Sequence, residues 1–312
     1  MDSIKDINLP IAPTVEAIVD WVQDNFEPLL DGIAAAVGFV TDGLDDLFLA
    51  IPPLLFVLIV IAIGLVRVNW RFALFAAVAL FVVMGIDLWE ETVSTMSLVI
   101  ASSFFALLIG FPIGVAMAKN NVVEAIVRPI LDLMQTMPPF VYLIPAAMFF
   151  GLGKVPGAIA TVIFAMPPAV RLTNLGIRQV TEEHVEAGLA FGCTPRQLLF
   201  KVQLPLAKPS IMAGVNQTIM LALSMVVIAS MIGAGGLGNT VLTGIQRLNI
   251  GLGFEGGLGV VILAIILDRI TQSFGSSTTR TSPLQRALAA LRSYTGAAPA
   301  SSGATASKGA AE

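Results

Sequence analysis

Chemistry in this chain would have to come from very few side chains. Its 312 residues include one cysteine, Cys193, and one histidine, His184. A single thiol excludes an internal disulfide and a cysteine-based metal cluster, and a single imidazole removes the histidine pairs of most zinc sites. Convergent nucleophile, base and metal groups, which a membrane enzyme would need, are missing. His184 reads as a solvated helix residue and Cys193 as a small turn residue. Two nucleotide-like patterns fail on context. Gly233-Ala234-Gly235-Gly236-Leu237-Gly238 satisfies GxGxxG, but it lies between two apolar runs with no strand before it. Gly153-Lys154 echoes a P-loop, yet Met148 stands where the first glycine belongs and Val155 where Ser or Thr belongs. No catalytic residue, metal site or cofactor is therefore assigned to this chain, and any ATP must bind elsewhere.

The most informative polar segment runs from Arg178 to Lys208. Thr181-Glu182-Glu183-His184 places a hydroxyl before two acids, where a helix dipole favours negative charge, so a helix should start there. Gly192 should stop it, because a glycine past a helix end takes the left-handed conformation freely. Thr194-Pro195-Arg196-Gln197 has the form of a capping box with proline at the first helical position, and Leu204-Pro205 should close the second short helix.

The elements around this segment belong to a membrane. Hydrophobic residues make up 56% of the chain, charged residues 12%, and the mean hydropathy is +0.88. A water-soluble domain cannot hide so much apolar surface. A net charge of −4 without clustered Lys and Arg argues against nucleic-acid binding. A hydrocarbon core about 30 Å thick needs about 20 apolar residues per helix. Seven runs approach that size: Leu47 to Val66, Phe72 to Leu88, Thr92 to Ala118, Ile126 to Leu152, Val155 to Leu175, Pro205 to Gly233 and Phe254 to Phe274. They are continuous rather than alternating, which favours an all-α polytopic membrane protein of about seven helices over a barrel.

Arginine and lysine set the orientation. Arg67, Arg71, Lys119, Arg128, the Arg178 to Lys208 segment, Arg269, Arg280, Arg286 and Arg292 share one side if there are seven spans, and the positive-inside rule makes that side cytoplasmic. The N-terminus then lies outside and the C-terminus inside. Residues 1–46 read as an acidic external tail of one or two amphipathic helices, not a cleavable signal peptide. Residues 47–91 hold two extra spans, 92–275 the main membrane unit with its polar loop at 178–208, and 276–312 a largely disordered Ala/Ser/Gly-rich tail.

Within the spans, prolines mark the candidate pathway. Pro138-Pro139, Pro145 and Pro167-Pro168 interrupt helices, and such breaks persist in a bilayer where protein or a water-lined cavity satisfies the backbone. Met134, Met137, Phe140, Tyr142 and Ser224 are the candidate lining; simple packing kinks are the alternative. Arg128 and Asp132 are spaced to pair on one helix face near the interface. Gly110 and Gly114 form a GxxxG pair suited to close helix packing.

The polar segment then resembles a known family. Glu186-Ala187-Gly188, Gly192 and Val202-Gln203-Leu204-Pro205 are similar to the EAA loop of ABC importer permeases, Gly188 standing for an alanine and Val202 for an isoleucine. Leu131 to Pro138, Phe140 to Pro145, Gly214 to Gln217 and Leu221 to Ala229 look like the permeases of glycine betaine and proline betaine importers. The resemblance covers about Trp89 to Gly275. It implies a type I importer fold with five core spans, and an assembly of two permease copies, two cytoplasmic ATPases carrying ATP and Mg, and an external substrate-binding protein in a bacterial inner membrane. It also implies Glu186, Ala187, Gly188, Gly192, Val202, Leu204 and Pro205 as the ATPase-coupling residues. The implied cargo is an osmolyte such as glycine betaine, proline betaine, choline or carnitine. Quaternary ammonium recognition generally uses an aromatic cage. Tyr142 stands alone while Trp70 and Trp89 sit at interfaces, so selectivity should belong to the binding protein. An ion-coupled secondary transporter is the competing reading; it should show intramembrane acids and an inverted repeat, and neither is evident.

Overall fold

A computed structural model describes residues 11–275. The expectations placed on residues 1–10 and 276–312, including the disordered tail and Arg280, Arg286 and Arg292, lie outside the described residues.

All regular structure among them is helical. In chain order the helices are α1 (Ile11–Leu49), α2 (Pro53–Ile63), α3 (Trp70–Gly85), α4 (Trp89–Lys119), α5 (Asn121–Thr136), α6 (Phe140–Phe150), α7 (Lys154–Arg178), α8 (Glu182–Ala190), α9 (Pro195–Gln197), α10 (Leu204–Ala229), α11 (Gly236–Gln246) and α12 (Ile250–Gly275). π-Helical turns at Gly64–Val68 and Leu198–Gln203 extend α2 and join α9 to α10.

α7 is the hub, packed along both α4 and α10. Its sequence explains why. Gly157, Ala158, Ala160, Ala165, Ala169 and Gly176 are all buried and small, so neighbouring backbones come close enough for dispersion to hold helices that gain nothing from excluding water in lipid. The GxxxG pair on α4 meets this helix: a Cβ at Gly114 would stand 2.7 Å from both the Thr173 Cβ and the Val170 carbonyl oxygen. A second apolar cluster joins α2 and α3 to α12 through Val57, Val60, Phe72, Ala76, Val83, Ile262 and Ile266.

Several boundaries differ from those expected. Four helical stretches are individually long and apolar enough to cross a bilayer: α4, α7, α12 and the continuous Pro195–Ile232; counting each of two bent pairs as a span gives up to six. The run expected as one span from Ile126 to Leu152 is such a pair, α5 and α6, bent by 101°. The bend falls at Met137, which is extended (ψ 136°), before two prolines that offer no N–H to a continuing ladder. The first run is likewise turned 101° from α1, across Pro52 and Pro53. α3 has 16 residues, about 24 Å of helix, which is short of a full hydrocarbon core. α11 is an additional 11-residue helix between the last two apolar runs.

The acidic stretch before Leu47 is one 39-residue helix interrupted at Phe26, whose backbone (φ −121°, ψ 15°) is not helical. It continues to Leu49, past the expected boundary at residue 46. It lies on the protein, with Val37 in the main core and Gly38 against Val155. Pro205 does not close a helix either. It stands just past the π-helical turn Leu198–Gln203, inside the continuous helical stretch Pro195–Ile232, and the helix runs on through it as α10.

Candidate functional site

The polar segment is held together by local bonds. After α8 the chain reverses at Gly192 (φ +79°), with Cys193 N–H donating to the Gly188 carbonyl at 3.0 Å and Gly192 N–H to that of Leu189 at 2.9 Å. These two bonds make a complete Schellman turn, and the positive φ explains the glycine. The capping box follows at once: Gln197 N–H donates to the Thr194 hydroxyl at 3.3 Å, and Thr194 N–H to the Gln197 side-chain oxygen at 2.9 Å. Thr181 behaves differently from the expectation. Its hydroxyl is 2.6 Å from His184 Nδ1 and caps no backbone group of α8. The hydroxyl is oriented toward the imidazole instead of toward the first-turn N–H groups.

The expected coupling residues divide into two sets. Glu186 and Ala187 are exposed on α8, as are Gly192 in its turn and Pro205 at the head of α10. Gly188 is buried; a Cβ there would lie 2.8 Å from Leu198 and 3.5 Å from Val202, so this glycine and Val202 are where α8 folds back on the π-helical turn. Leu204 packs with Leu199, Ile177 and Ala207, fastening the segment to α7. Lys119 at the end of α4 donates to Gln203 at 2.9 Å.

Residues that motif reasoning missed complete the surface. Phe191 is 90% exposed, and Leu189 and Phe200 are also open. The signal was available, because an aromatic residue in a turn outside the bilayer has no core to fill.

Beneath the segment, charges pair across helices. Glu124 on α5 accepts from Arg128 and from Arg178 on α7, each at 2.8 Å. Arg178 also donates to Asn121 and to the Met117 carbonyl, each at 2.8 Å. Asp132 pairs with Arg171 at 2.5 Å. The expected Arg128–Asp132 pair is thus replaced by two others. Arg128 reaches back one turn, and Asp132 finds a partner on another helix that sequence spacing could not reveal.

The candidate pathway residues lie at two places. Met134, Met137, Phe140 and Tyr142 surround the α5–α6 bend. Tyr142 is buried; its hydroxyl donates to the Met134 carbonyl, which the break leaves without a helical partner, and its ring meets Phe164 edge-on at 6.2 Å. Met134 is buried, Met137 partly so, and Phe140 is 52% exposed. Ser224 is elsewhere, in a groove of about 300 Å3 between α10 and α12, its hydroxyl donating to the Met220 carbonyl at 3.1 Å.

At the opposite end of α7 the chain is tied to α1, α4 and α10. Lys154 pairs with Asp45 of α1, a carboxylate only 6% exposed, and Ser94 of α4 donates to the same carboxylate at 3.4 Å. Gly153 N–H donates to the Ile232 carbonyl at 2.9 Å. The glycines from 233 to 236 are explained by geometry: Gly233, Gly235 and Gly236 have φ of +85°, +79° and +66°. Leu237 N–H then donates to Thr95 at 2.8 Å. Lys154, seen in sequence as a P-loop echo, is an ion-pair residue.

Residues 110–279 match the family model described as binding-protein-dependent transport system inner membrane component. The glycine betaine/carnitine transport permease protein of Listeria monocytogenes is 51% identical over 271 residues, covering 85% of this chain and 95% of that protein. The glycine betaine/proline betaine transport system permease protein of Escherichia coli is 46% identical over 275 residues, 88% of this chain and 78% of that one. In fold, the chain is similar to a subunit of the inward-facing MetNI methionine ABC transporter, with a TM-score of 0.55 at 22% identity over 60% of this chain and 93% of that one. These matches set aside the ion-coupled transporter. With its apolar helices and this kinship, the chain belongs to the binding-protein-dependent transport system inner membrane components, as a permease subunit of an ABC importer.

Proposed function

We propose that the chain forms the passage for a small quaternary or methylated amine, with glycine betaine the first substrate to test, and that it works as two copies with two cytoplasmic ATPases and an external binding protein. ATP and Mg belong to the ATPases. The coupling residues are Glu186, Ala187, Gly188, Gly192, Val202, Leu204 and Pro205, joined by Phe191. The observation that carries this reading is the polar segment: a rigid, locally bonded turn that leaves an aromatic side chain 90% exposed. A hydrophobic side chain projected from a preorganised turn is suited to a cleft on a partner, since little entropy is lost on docking. The relatives' names supply the substrate class.

Met134, Met137, Phe140, Tyr142 and Ser224 remain the proposed lining. Phe140 and Ser224 are the exposed members, and Tyr142 acts by holding the bend through the Met134 carbonyl. The lone buried tyrosine makes no aromatic cage, so the binding protein should select the amine. α1 faces outward and the coupling segment faces the cytoplasm.

Two measurements test this. Uptake in cells lacking their own betaine transport should require the ATPase, and exchanging the binding protein should change the transported amine more than Tyr142→Phe does. An unchanged substrate range after the exchange would defeat the specificity reading. Impermeant thiol reagents applied to Asp24→Cys and Glu183→Cys, each in a Cys193→Ser background, should label the first from outside and the second only from inside.

A further inference from the structure

The break between α2 and α3 forms a groove with α12 that the transport reading does not use. It has a volume of about 320 Å3, and its walls include Asn69, Arg71 and Phe72, then Phe75, Ile265 and Arg269. Two arginines from different helices therefore open onto one apolar trough. Neither forms an ion pair among the described residues, and both are exposed. Arg67, two residues before the break at Asn69, rests on the Phe274 ring at 4.2 Å and also lacks a carboxylate partner among the described residues.

The groove's surroundings fix its depth. The outer face of α3 exposes Leu74, Val78 and Phe81, which only lipid tails would cover favourably. Its first turn carries Trp70, 64% exposed, beside Arg71. Tryptophan next to arginine at the end of an apolar helix marks the headgroup level. A guanidinium there seeks a phosphate, which it can bind through two parallel hydrogen bonds.

We propose that this groove holds the headgroup of an anionic phospholipid, its phosphate between Arg71 and Arg269 and an acyl chain along Phe75 and Ile265. The site concerns the bilayer and is independent of which amine is carried. A zwitterionic lipid also offers a phosphate, but its ammonium group cancels the charge that the two arginines attract. Preference for net negative lipid is therefore the diagnostic property.

Native mass spectrometry of the full-length chain, purified in mild detergent and titrated with phosphatidylglycerol or phosphatidylcholine, reads this directly. The proposal expects retained phosphatidylglycerol in preference to phosphatidylcholine. It expects a loss of about fivefold in phosphatidylglycerol affinity for Arg71→Gln or Arg269→Gln and about twenty-five-fold for both together, by the usual contribution of a basic residue near an anionic surface. The double lysine variant, which keeps the charge, should retain most binding and shows whether the helices still assemble. Arg247→Gln, on the exposed end of α11, should change nothing. Equal retention of both lipids, or an unchanged affinity in the double glutamine variant, overturns the proposal. Full displacement of the lipid by inorganic phosphate would make this a soluble-anion site, and binding that emerges only after truncation at Gly275 would make the groove a seat for the chain's own tail; either result also overturns it.

Discussion

In the polar segment from Arg178 to Lys208, the bonds that fix the backbone join residues three to five apart, as in Thr194 with Gln197 and Gly188 with Cys193. In the membrane core the equivalent bonds join Ser94 to Asp45, Lys154 to Asp45 and Leu237 to Thr95, at separations of 49, 109 and 142 residues. Glycine shows the same division. Gly192 is needed for its left-handed backbone and has open space around it, whereas Gly114 is needed because Thr173 and the Val170 carbonyl leave no room for a methyl group. One region is shaped by its own turn chemistry and presents a surface; the other is shaped by what arrives from far along the chain and buries it. Damage to the first should cost docking, and damage to the second should cost the fold.

The largest effect should come from Gly114→Val. Its added carbons meet backbone, which cannot rotate away, so the α4–α7 contact must open. Overpacking of this kind costs about 1–3 kcal/mol, at the upper end where the neighbour is backbone, and membrane levels of the variant should fall on a quantitative blot. Gly192→Val, by contrast, pays only the left-handed strain of about 1–2 kcal/mol and should reach near-normal levels. Equal loss in both variants would erase the distinction between the regions.

Next is the junction of α1 with α7. Lys154→Met leaves the Asp45 carboxylate buried without a counter-charge, at a cost of about 3 kcal/mol, discounted because the lysine is itself partly exposed. Asp45→Leu added to it should recover most of the loss in thermal denaturation of the purified chain. No recovery would mean that the pair contributes nothing beyond its packing.

A smaller effect is expected for Thr194→Ala, which removes one half of the capping box. Such caps are worth about 1 kcal/mol. A thermal shift of the whole chain should be small, because the cap fixes only the exposed end of the helix that runs on into α10, while the contacts of Leu199 and Leu204 with α7 remain. A large shift would show that the segment and the core unfold together.

This division also explains what could be read from the sequence. Turn chemistry is local, so Gly192 and the Thr194-Pro195-Arg196-Gln197 box were legible residue by residue. Apolar runs are local too, and they located α4, α7, α10 and α12. The partner of a charge is not local. Arg128 and Asp132 looked paired because they are four apart, but Glu124 and Arg171 are the partners chosen by helix packing. Nor does an apolar run reveal a bend. The α5–α6 turn of 101° depends on how Tyr142 and the core receive the freed Met134 carbonyl. Thr181 misled because a hydroxyl has two uses near a helix start, and His184 offered the second. Pro205 misled because the helix runs on through it, from the π-helical turn into α10.

The chain carries its own reporter for the remaining question, because its single thiol, Cys193, sits in the Schellman turn two residues after Phe191. Maleimide labelling of Cys193 should proceed readily in the isolated permease and slow markedly once the ATPase subunit is bound. Phe191→Ser, which removes no buried contact, should keep normal membrane levels yet restore fast labelling in the presence of the ATPase. Labelling at the same rate with and without the ATPase, in a preparation where the two co-purify, would show that this segment is not the docking surface.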